Sequence, residues 1–160
     1  MSDGENREQL RTQIATMLQT HSTMNMATCA DNTPWASAVF YASDDDLRLY
    51  FLTSPRTRRG QHLVAGRAAA TINADVRQWG DIRGLQLEGS VTPVDDVSRQ
   101  AVETLYLDKF AELREADAAL WQRLRSTPFY QFCPSWIRII DNSVSFGHKA
   151  ELTLSHPQAS

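Results

Sequence analysis

The 160-residue sequence contains only two cysteines, Cys29 and Cys133, which lie far apart and form no C-x-x-C pair. This scarcity argues against a secreted disulfide scaffold and favours two reduced thiols in a cytoplasmic protein. The chain also lacks any apolar run close to the ~20 residues that span a bilayer. Its first residues are polar and acidic, which predicts no signal peptide. We therefore expect a cytoplasmic protein that does not enter a membrane.

Positive charge is not in excess over the whole chain. The 16 basic and 19 acidic residues give a formal net charge of -3, which disfavours a duplex-DNA binder or a polybasic membrane anchor. The four histidines show no H-x-x-x-H pair, and the acidic run at 44–46 lacks the spaced ligands of a calcium loop. P-loop, G-x-S-x-G and G-x-G-x-x-G motifs are missing as well. We predict no metal site.

The pattern of apolar residues predicts one leading helix followed by many short strands. Leu10, Ile14 and Leu18 recur at helical spacing in the first twenty residues. Further patterns predict a short helix between Thr57 and Gly66, a helical region over 95–125, and strands at 23–30, 34–42, 47–53, 68–74, 84–94 and 135–142. Hairpin turns join the early strands, and helices and strands do not alternate regularly. We predict one domain over 1–160, a mainly β (α+β) fold with a small antiparallel barrel of about six strands and flanking helices.

The most unusual segment is TSPRTRRGQHL, residues 53 to 63. From Thr53 to Arg67 the chain holds four arginines and no acid, so it carries +4, while the remaining 12 basic and 19 acidic residues carry -7. Arginines at a helix start oppose the helix dipole unless an anion is bound there. A phosphate would accept bonds from the helix N–H groups, from guanidinium groups and from the hydroxyls of Thr53, Ser54 and Thr57.

Two alternatives to a phosphate site stand at this stage. The arginines of this turn could pair with some of the 19 acidic residues, as an ordinary solvated surface. Nucleic acid is a weaker candidate, because the basic run is short and no aromatic residue is interleaved within it.

Residues 23–94, through PWASAVFYA and LYFLTSPRTRRGQHL, resemble the first half of the FMN-binding split barrel of pyridoxamine 5′-phosphate oxidase and its relatives. The segments IRGLQLEG and WIRIIDNSVSFGHKAEL are similar to a smaller bacterial subgroup of that superfamily. The resemblance implies a split β-barrel and a homodimer with flavin in the cleft between the subunits.

The resemblance also implies particular flavin contacts. Arg58 and Arg59 match the family's Arg-Lys phosphate pair, and Thr53, followed by Ser54, matches the threonine that contacts the phosphate. The backbone of Ala38, Val39, Phe40 and Tyr41 would lie along the edge of the isoalloxazine ring. Gln86 lies two positions from a family glutamine that contacts the cofactor. Trp136, Phe146 and Lys149 would approach the ring from the partner chain.

The sequence departs from the family's oxidase at its substrate residues. Ser37 and Ala42 stand where the Arg-x-x-x-x-Lys signature is expected, and the C-terminal Arg-Leu-x-Pro ending is missing. Pyridoxamine phosphate oxidation is therefore not expected. The leading hypothesis is an FMN-dependent oxidoreductase acting on an unidentified small molecule, with the deazaflavin coenzyme as an alternative cofactor. A non-catalytic flavin or haem carrier, with His148 as the haem candidate, and a barrel without cofactor are the other hypotheses.

Overall fold

The structure, a computed structural model, describes residues 3–156. Its helices are α1 (Asp3–Thr20), α2 (Arg58–His62), α3 (Asp96–Lys109) and α4 (Ala118–Ser126), with 3-10 turns at Leu63–Ala65, Trp79–Asp81 and Ala111–Glu115. Its strands are β1 (Thr23–Ala30), β2 (Thr33–Phe40), β3 (Ala42–Ser43), β4 (Leu49–Leu52), β5 (Arg67–Asn73), β6 (Arg83–Pro93), β7 (Phe129–Asp141) and β8 (Lys149–Thr153). The α+β class and the antiparallel sheet are confirmed.

The strand count differs from the sequence prediction, because the described residues form eight strands rather than about six. The strand predicted at 34–42 is divided at Tyr41 into β2 and β3. The last predicted strand begins earlier, at Phe129, and β8 follows it. Both differences depend on pairing with strands distant in sequence, which local patterning does not report.

All the strands belong to one sheet with the order β2-β1-β5-β6-β7-β4-β3, and β8 also pairs with β7. The two ends of this order, β2 and β3, are separated along the chain by the single residue Tyr41. The sheet must therefore curl until its ends meet. Because β2 and β3 follow each other in the chain instead of pairing, the result is a split barrel.

The inside of the curled sheet holds the main hydrophobic core. In β1, buried and exposed residues alternate strictly from Thr23 to Cys29, so Met24, Met26 and Thr28 point inward. The helix α1 covers one opening of the barrel with Ile14, Met17 and Leu18. None of the helices in the described range 3–156 is long and apolar enough to cross a membrane.

A second apolar cluster lies on the outside of the sheet, where α3 packs against β3, β4 and the start of β7. Its buried members are Ala42, Tyr50, Val102, Tyr106, Phe110 and Phe129. Lys109, at the end of α3, ties this layer to α1. Its ammonium group donates to the carbonyl oxygens of Leu18 (3.0 Å) and His21 (2.5 Å) and lies 4.1 Å from the centroid of the Tyr41 ring.

We expect Lys109 to make stability depend on pH in the alkaline range. Burial lowers its pKa to about 8, whereas a lysine in an unfolded chain titrates near 10.4. Unfolding therefore takes up a proton between these values, and stability gains a favourable contribution as pH rises through this window. Urea unfolding at pH 7.5, 8.5 and 9.5 should show the wild type gaining stability relative to Lys109→Met. A constant difference between the two proteins across these pH values would contradict the expectation.

Candidate functional site

The arginine-rich turn between β4 and α2 is held by its own hydroxyl groups. Thr57 caps α2, because its Oγ1 accepts the N–H of Gly60 at 3.0 Å. The same hydroxyl donates to the Ser54 carbonyl at 2.8 Å and lies 3.2 Å from the hydroxyl of Thr53. The side chain of Thr53 is buried at the end of β4. The turn thus has a fixed shape before any ligand enters.

Arg59 connects this turn to strand β2. Its Nη1 donates to Ser37 Oγ at 2.8 Å and to the Ala38 carbonyl at 3.3 Å. Its Nε donates to Thr53 Oγ1 at 3.2 Å. The guanidinium is partly buried, and this burial lowers the pKa of Arg59. The structure therefore brings together Ala38, Thr53 and Arg59, three residues predicted to contact the flavin, and it adds Ser37.

Arg58 lies on the exposed side of the same helical turn. Its guanidinium carbon is 4.4 Å from the centroid of the Trp35 ring, a distance typical of a cation–π contact. Ser54 is partly exposed in the same turn, and its Oγ accepts the backbone N–H of Arg56 at 3.2 Å. Trp35 is a contact that sequence reasoning missed, since it comes from β2 and depends on the tertiary fold.

No carboxylate neutralises this group of cations. Within residues 3–156, the ion pairs include neither Arg56, Arg58 nor Arg59. The alternative in which these arginines pair with acidic residues is therefore not what the fold shows. The partly buried guanidinium of Arg59 donates only to hydroxyls and a carbonyl, so its positive charge is not neutralised. An anion that binds beside it would therefore be stabilised by that charge.

The predicted contacts on the 38–41 segment divide between the two faces of the sheet. Ala38 and Phe40 point outward and are exposed, whereas Val39 packs against the main core. Tyr41 lies outside β2 and is fully buried, with its hydroxyl donating to the Leu18 carbonyl at 2.8 Å. The backbone N–H of Tyr41 bonds to Ser22. Of these four residues, Ala38 and Phe40 therefore have exposed side chains, and the Ala38 carbonyl already accepts a bond from Arg59.

Gln86 belongs to a second group of polar residues, on the outer face of the sheet. The strand registers align Ala38, Asn25, Thr71, Gln86, Arg138 and Glu151 as one row across six strands, which we call the outer row. Gln86 is three strands away from Ala38 in this row, or about 14 Å at the usual strand spacing. In a single chain, Gln86 therefore lies well away from the arginine turn.

Arg138 organises this second group. Its Nε and Nη2 donate to Glu151 Oε1 at 2.9 and 2.6 Å, and its Nη1 donates to Gln86 Oε1 at 3.3 Å. The Arg138 guanidinium also lies 4.9 Å from the centroid of the Trp136 ring. Lys149, at the start of β8, is exposed and contributes to the lowered pKa of Glu151, of which the hydrogen bond from Arg138 is the main cause.

Arg138 and Glu151 were not among the residues predicted from sequence. Their only sequence signal is a polar residue at an outward position of an alternating strand, which many surface strands share. Phe146, the other aromatic residue considered for the ring, is 80% exposed in the loop before β8, next to Trp79.

The histidines show no metal-binding arrangement. Among residues 3–156, no group of three or more His, Cys, Asp or Glu side chains lies close enough to hold a metal ion. His62 is buried in α2, and its Nδ1 lies 3.2 Å from the hydroxyl of Thr28. His148, the haem candidate, lies in the loop before β8, where its backbone N–H bonds to Ser145.

Comparisons with known proteins agree with this architecture. A solved structure of a haem-binding protein from Mycobacterium smegmatis shares the fold with a TM-score of 0.70 and 17% identity, and the match covers 89% of this chain and 57% of that one. A solved structure of an FAD-binding protein from Mesorhizobium loti shares it with a TM-score of 0.61 and 15% identity, and the match covers 79% of this chain and 90% of that one. At these identities the likeness shows the fold alone.

Sequence relatives extend the match. The UPF0306 protein YhbP of Salmonella paratyphi C is 30% identical over 118 residues, which cover 72% of this chain and 74% of that protein. The family model described as pyridoxamine 5′-phosphate oxidase matches residues 10–140, from within α1 to near the end of β7. The chain therefore belongs to the pyridoxamine 5′-phosphate oxidase family.

Proposed function

We propose that this protein binds FMN through the arginine turn and acts as a flavin-dependent oxidoreductase on a small molecule. The observation that carries the proposal is the charge of Arg59, which is partly buried and has no carboxylate partner among the described residues. The terminal phosphate of FMN supplies the missing negative charge. Solved structures of the same fold that are described as binding FAD or haem support a cofactor in this family.

The groups of the turn fit a phosphate in both charge and hydrogen bonding. Arg58 and Arg59 supply guanidinium donors, and Ser54 supplies a partly exposed hydroxyl. The hydroxyl of Thr53 is already held by Thr57 and Arg59. Because these contacts exist without ligand, little side-chain entropy is lost when the phosphate binds, and this favours affinity.

We propose a cytoplasmic homodimer in which the outer face of the sheet meets a second copy. Small residues make this face flat near β2, since Ala27, Ala36, Ala38 and Ala69 all point outward and are exposed. Phe40 is 56% exposed beside them. A partner chain on this face could bring its own Gln86 and Trp136 to the arginine turn, which those residues do not reach within one chain.

When bound, the flavin supplies the electron-accepting chemistry, and the protein binds and orients it. In this arrangement, Arg58 and Arg59 hold the phosphate, and the exposed backbone edge of β2 orients the ring. The substrate is expected to differ from pyridoxamine phosphate. Ser37 is occupied by its bond to Arg59, and Ala42 is 1% exposed within the second apolar cluster, so the oxidase's substrate-holding residues are replaced.

The direct experiment is the visible spectrum of the purified protein, before and after addition of FMN. We expect the bands of oxidised flavin to remain with the protein after gel filtration, and light scattering to give the mass of a dimer. Anaerobic bleaching of those bands by NADH or NADPH would support an oxidoreductase, whereas flavin that binds without being reduced by any donor would indicate a carrier. The deazaflavin coenzyme is tested in the same titration.

Two outcomes of this experiment would overturn the proposal. A Soret band in the purified protein, together with no retention of added FMN, would indicate the haem-binding alternative. A colourless protein that retains neither cofactor would indicate a barrel without one. A monomer that binds FMN tightly would remove the dimer from the proposal and leave the arginine turn in place.

A further inference from the structure

The inner face of strand β2 holds the helix α2 in place. Trp35 is paired with the inward-pointing Thr28 of β1, so Trp35 and Ser37, two residues further along β2, point inward as well. Ser37 accepts a hydrogen bond from Arg59 Nη1 at 2.8 Å. The centroid of the Trp35 ring lies 4.4 Å from the guanidinium carbon of Arg58. Two neighbouring residues of α2 are therefore held from the same face of β2.

The groups that hold α2 on this face carry no charge. Ser37 and Thr28 contribute hydroxyl groups, and the hydroxyl of Thr28 lies 3.2 Å from Nδ1 of the buried His62. Trp35 contributes an aromatic ring, whose negative face attracts a guanidinium. A carboxylate in any of these places would also hold an arginine, but it would neutralise the charge that an anionic ligand needs. The turn thus holds its cations and leaves their charge available.

Arg58 depends on its aromatic partner more than Arg59 depends on any one contact. Arg59 is partly buried and donates to three acceptors. Arg58 is exposed and enters none of the ion pairs among residues 3–156. A free arginine side chain samples many rotamers, and repulsion from a neighbouring guanidinium would turn it toward solvent. The Trp35 ring opposes both effects, and an arginine that is already ordered loses less entropy when a phosphate binds.

We propose that Trp35 positions Arg58 for the flavin phosphate and thereby increases the preference of this protein for FMN over riboflavin. The inference rests on the proposed function, since both concern the phosphate site at the arginine turn. Trp35 is a positioning residue in this arrangement, because it acts through Arg58 and contacts neither the phosphate nor the flavin ring.

The first experiment compares FMN and riboflavin titrations of the wild type and Trp35→Leu, followed by flavin fluorescence. Leucine keeps an apolar side chain at this position and removes the ring. The affinity for FMN should fall roughly twofold to fivefold, the usual strength of a cation–π contact at an exposed site. The affinity for riboflavin, which has no phosphate, should stay unchanged. An unchanged affinity for FMN would overturn the proposal, and so would equal losses for the two flavins.

A double-mutant cycle separates an effect through Arg58 from a direct contact with the ligand. If Trp35 acts through Arg58, Trp35→Leu should lower the affinity for FMN in the wild type and have no further effect in the Arg58→Gln variant. The same loss in both backgrounds would mean that Trp35 contacts the ligand itself, which contradicts the proposal.

Two variants control for the loss of an aromatic residue. Trp35→Phe keeps a ring at this position and should retain most of the FMN affinity that Trp35→Leu loses. Trp121→Leu removes a ring on α4 whose centroid lies 5.4 Å from the guanidinium carbon of Arg125, and it should leave the affinities for both flavins unchanged. A loss of FMN affinity in Trp121→Leu as large as that in Trp35→Leu would rule out a local role for Trp35.

Fluorinated tryptophan at position 35 gives a test that keeps the shape of the side chain, and it decides the question if Trp35→Leu does not fold. Each fluorine withdraws electrons from the ring and weakens its attraction for a cation, so the affinity for FMN should fall as fluorines are added. An affinity independent of fluorination would overturn this inference alone. A wild-type protein that retains no FMN would overturn the proposed function and this inference with it.

Discussion

Replacing Arg58 and Arg59 together by glutamine should lower the affinity for FMN by about 100-fold or more, because each hydrogen bond from a charged donor contributes roughly 1.5–3 kcal/mol. Riboflavin has the same ring and no phosphate, so its affinity should change by about twofold at most, within the range of minor contacts. Titrations of both ligands, followed by flavin fluorescence, measure the difference. Equal losses for FMN and riboflavin would contradict a phosphate role for these arginines.

The same turn provides the control for this pair. Arg56 carries the same charge and lies close in sequence, and its one bond in the turn is made by its backbone N–H. Arg56→Gln should therefore lower FMN affinity only slightly, through loss of a screened surface charge. Arg59 also donates to Ser37 and Thr53, so its loss could loosen the turn. The single variant Arg58→Gln should leave the turn intact, since the contact of Arg58 is with the Trp35 ring. It should still lower the affinity for FMN on the order of tenfold.

Much of the fold was predictable from local patterns. The alternation in β1 and the helical spacing of Ile14, Met17 and Leu18 each report which face is buried, and both elements appear as predicted. The start of β7 was missed. Its segment FYQFCP is apolar with little alternation and ends in Pro134, so nothing local distinguishes it from a loop. It becomes a strand because β4 and β6 both pair with it.

The arginine turn was predictable from sequence, but its connections were not. The density of arginine near Thr53 is a local signal, and it predicted a site for an anion. The bond from Arg59 to Ser37 joins residues that are 22 positions apart, and it exists because β2 curls back toward α2. The contact of the Tyr41 backbone with the ring stays a prediction. What the sequence did not predict is that the Tyr41 side chain is buried against α1.

The outer row could be recognised only after the strand registers were known. Gln86, Arg138 and Glu151 come from three different strands, and each is an unremarkable polar residue in its own segment. Once the strands are paired, the three side chains lie side by side, and the Arg138 guanidinium donates to both Gln86 and Glu151. Long-range pairing therefore created the group, and no local pattern contains it.

Gly60→Ala should destabilise the protein by about 1–3 kcal/mol, the usual cost of overpacking. A Cβ at this position would lie 2.2 Å from the Ser54 carbonyl oxygen and 2.8 Å from Pro55 Cα. Both are backbone atoms, which cannot rotate away as a side chain can. The turn must therefore move, and FMN affinity should fall with it while riboflavin affinity is largely kept. Urea unfolding and the two flavin titrations measure these effects.

Helix propensity alone predicts the opposite sign for this substitution. Gly60 lies inside α2, where alanine is normally more stable than glycine by about 1 kcal/mol. Gly80→Ala is the matched control, because nothing lies within 4 Å of the Cβ it would add, and its stability should change by about 0.5 kcal/mol or less. If Gly60→Ala were as stable as the wild type, the turn would not rest on the backbone of α2. The fixed position of Arg58 and Arg59 would then need another cause, because we attribute it to the close packing of Gly60 in α2 against the backbone of Ser54 and Pro55.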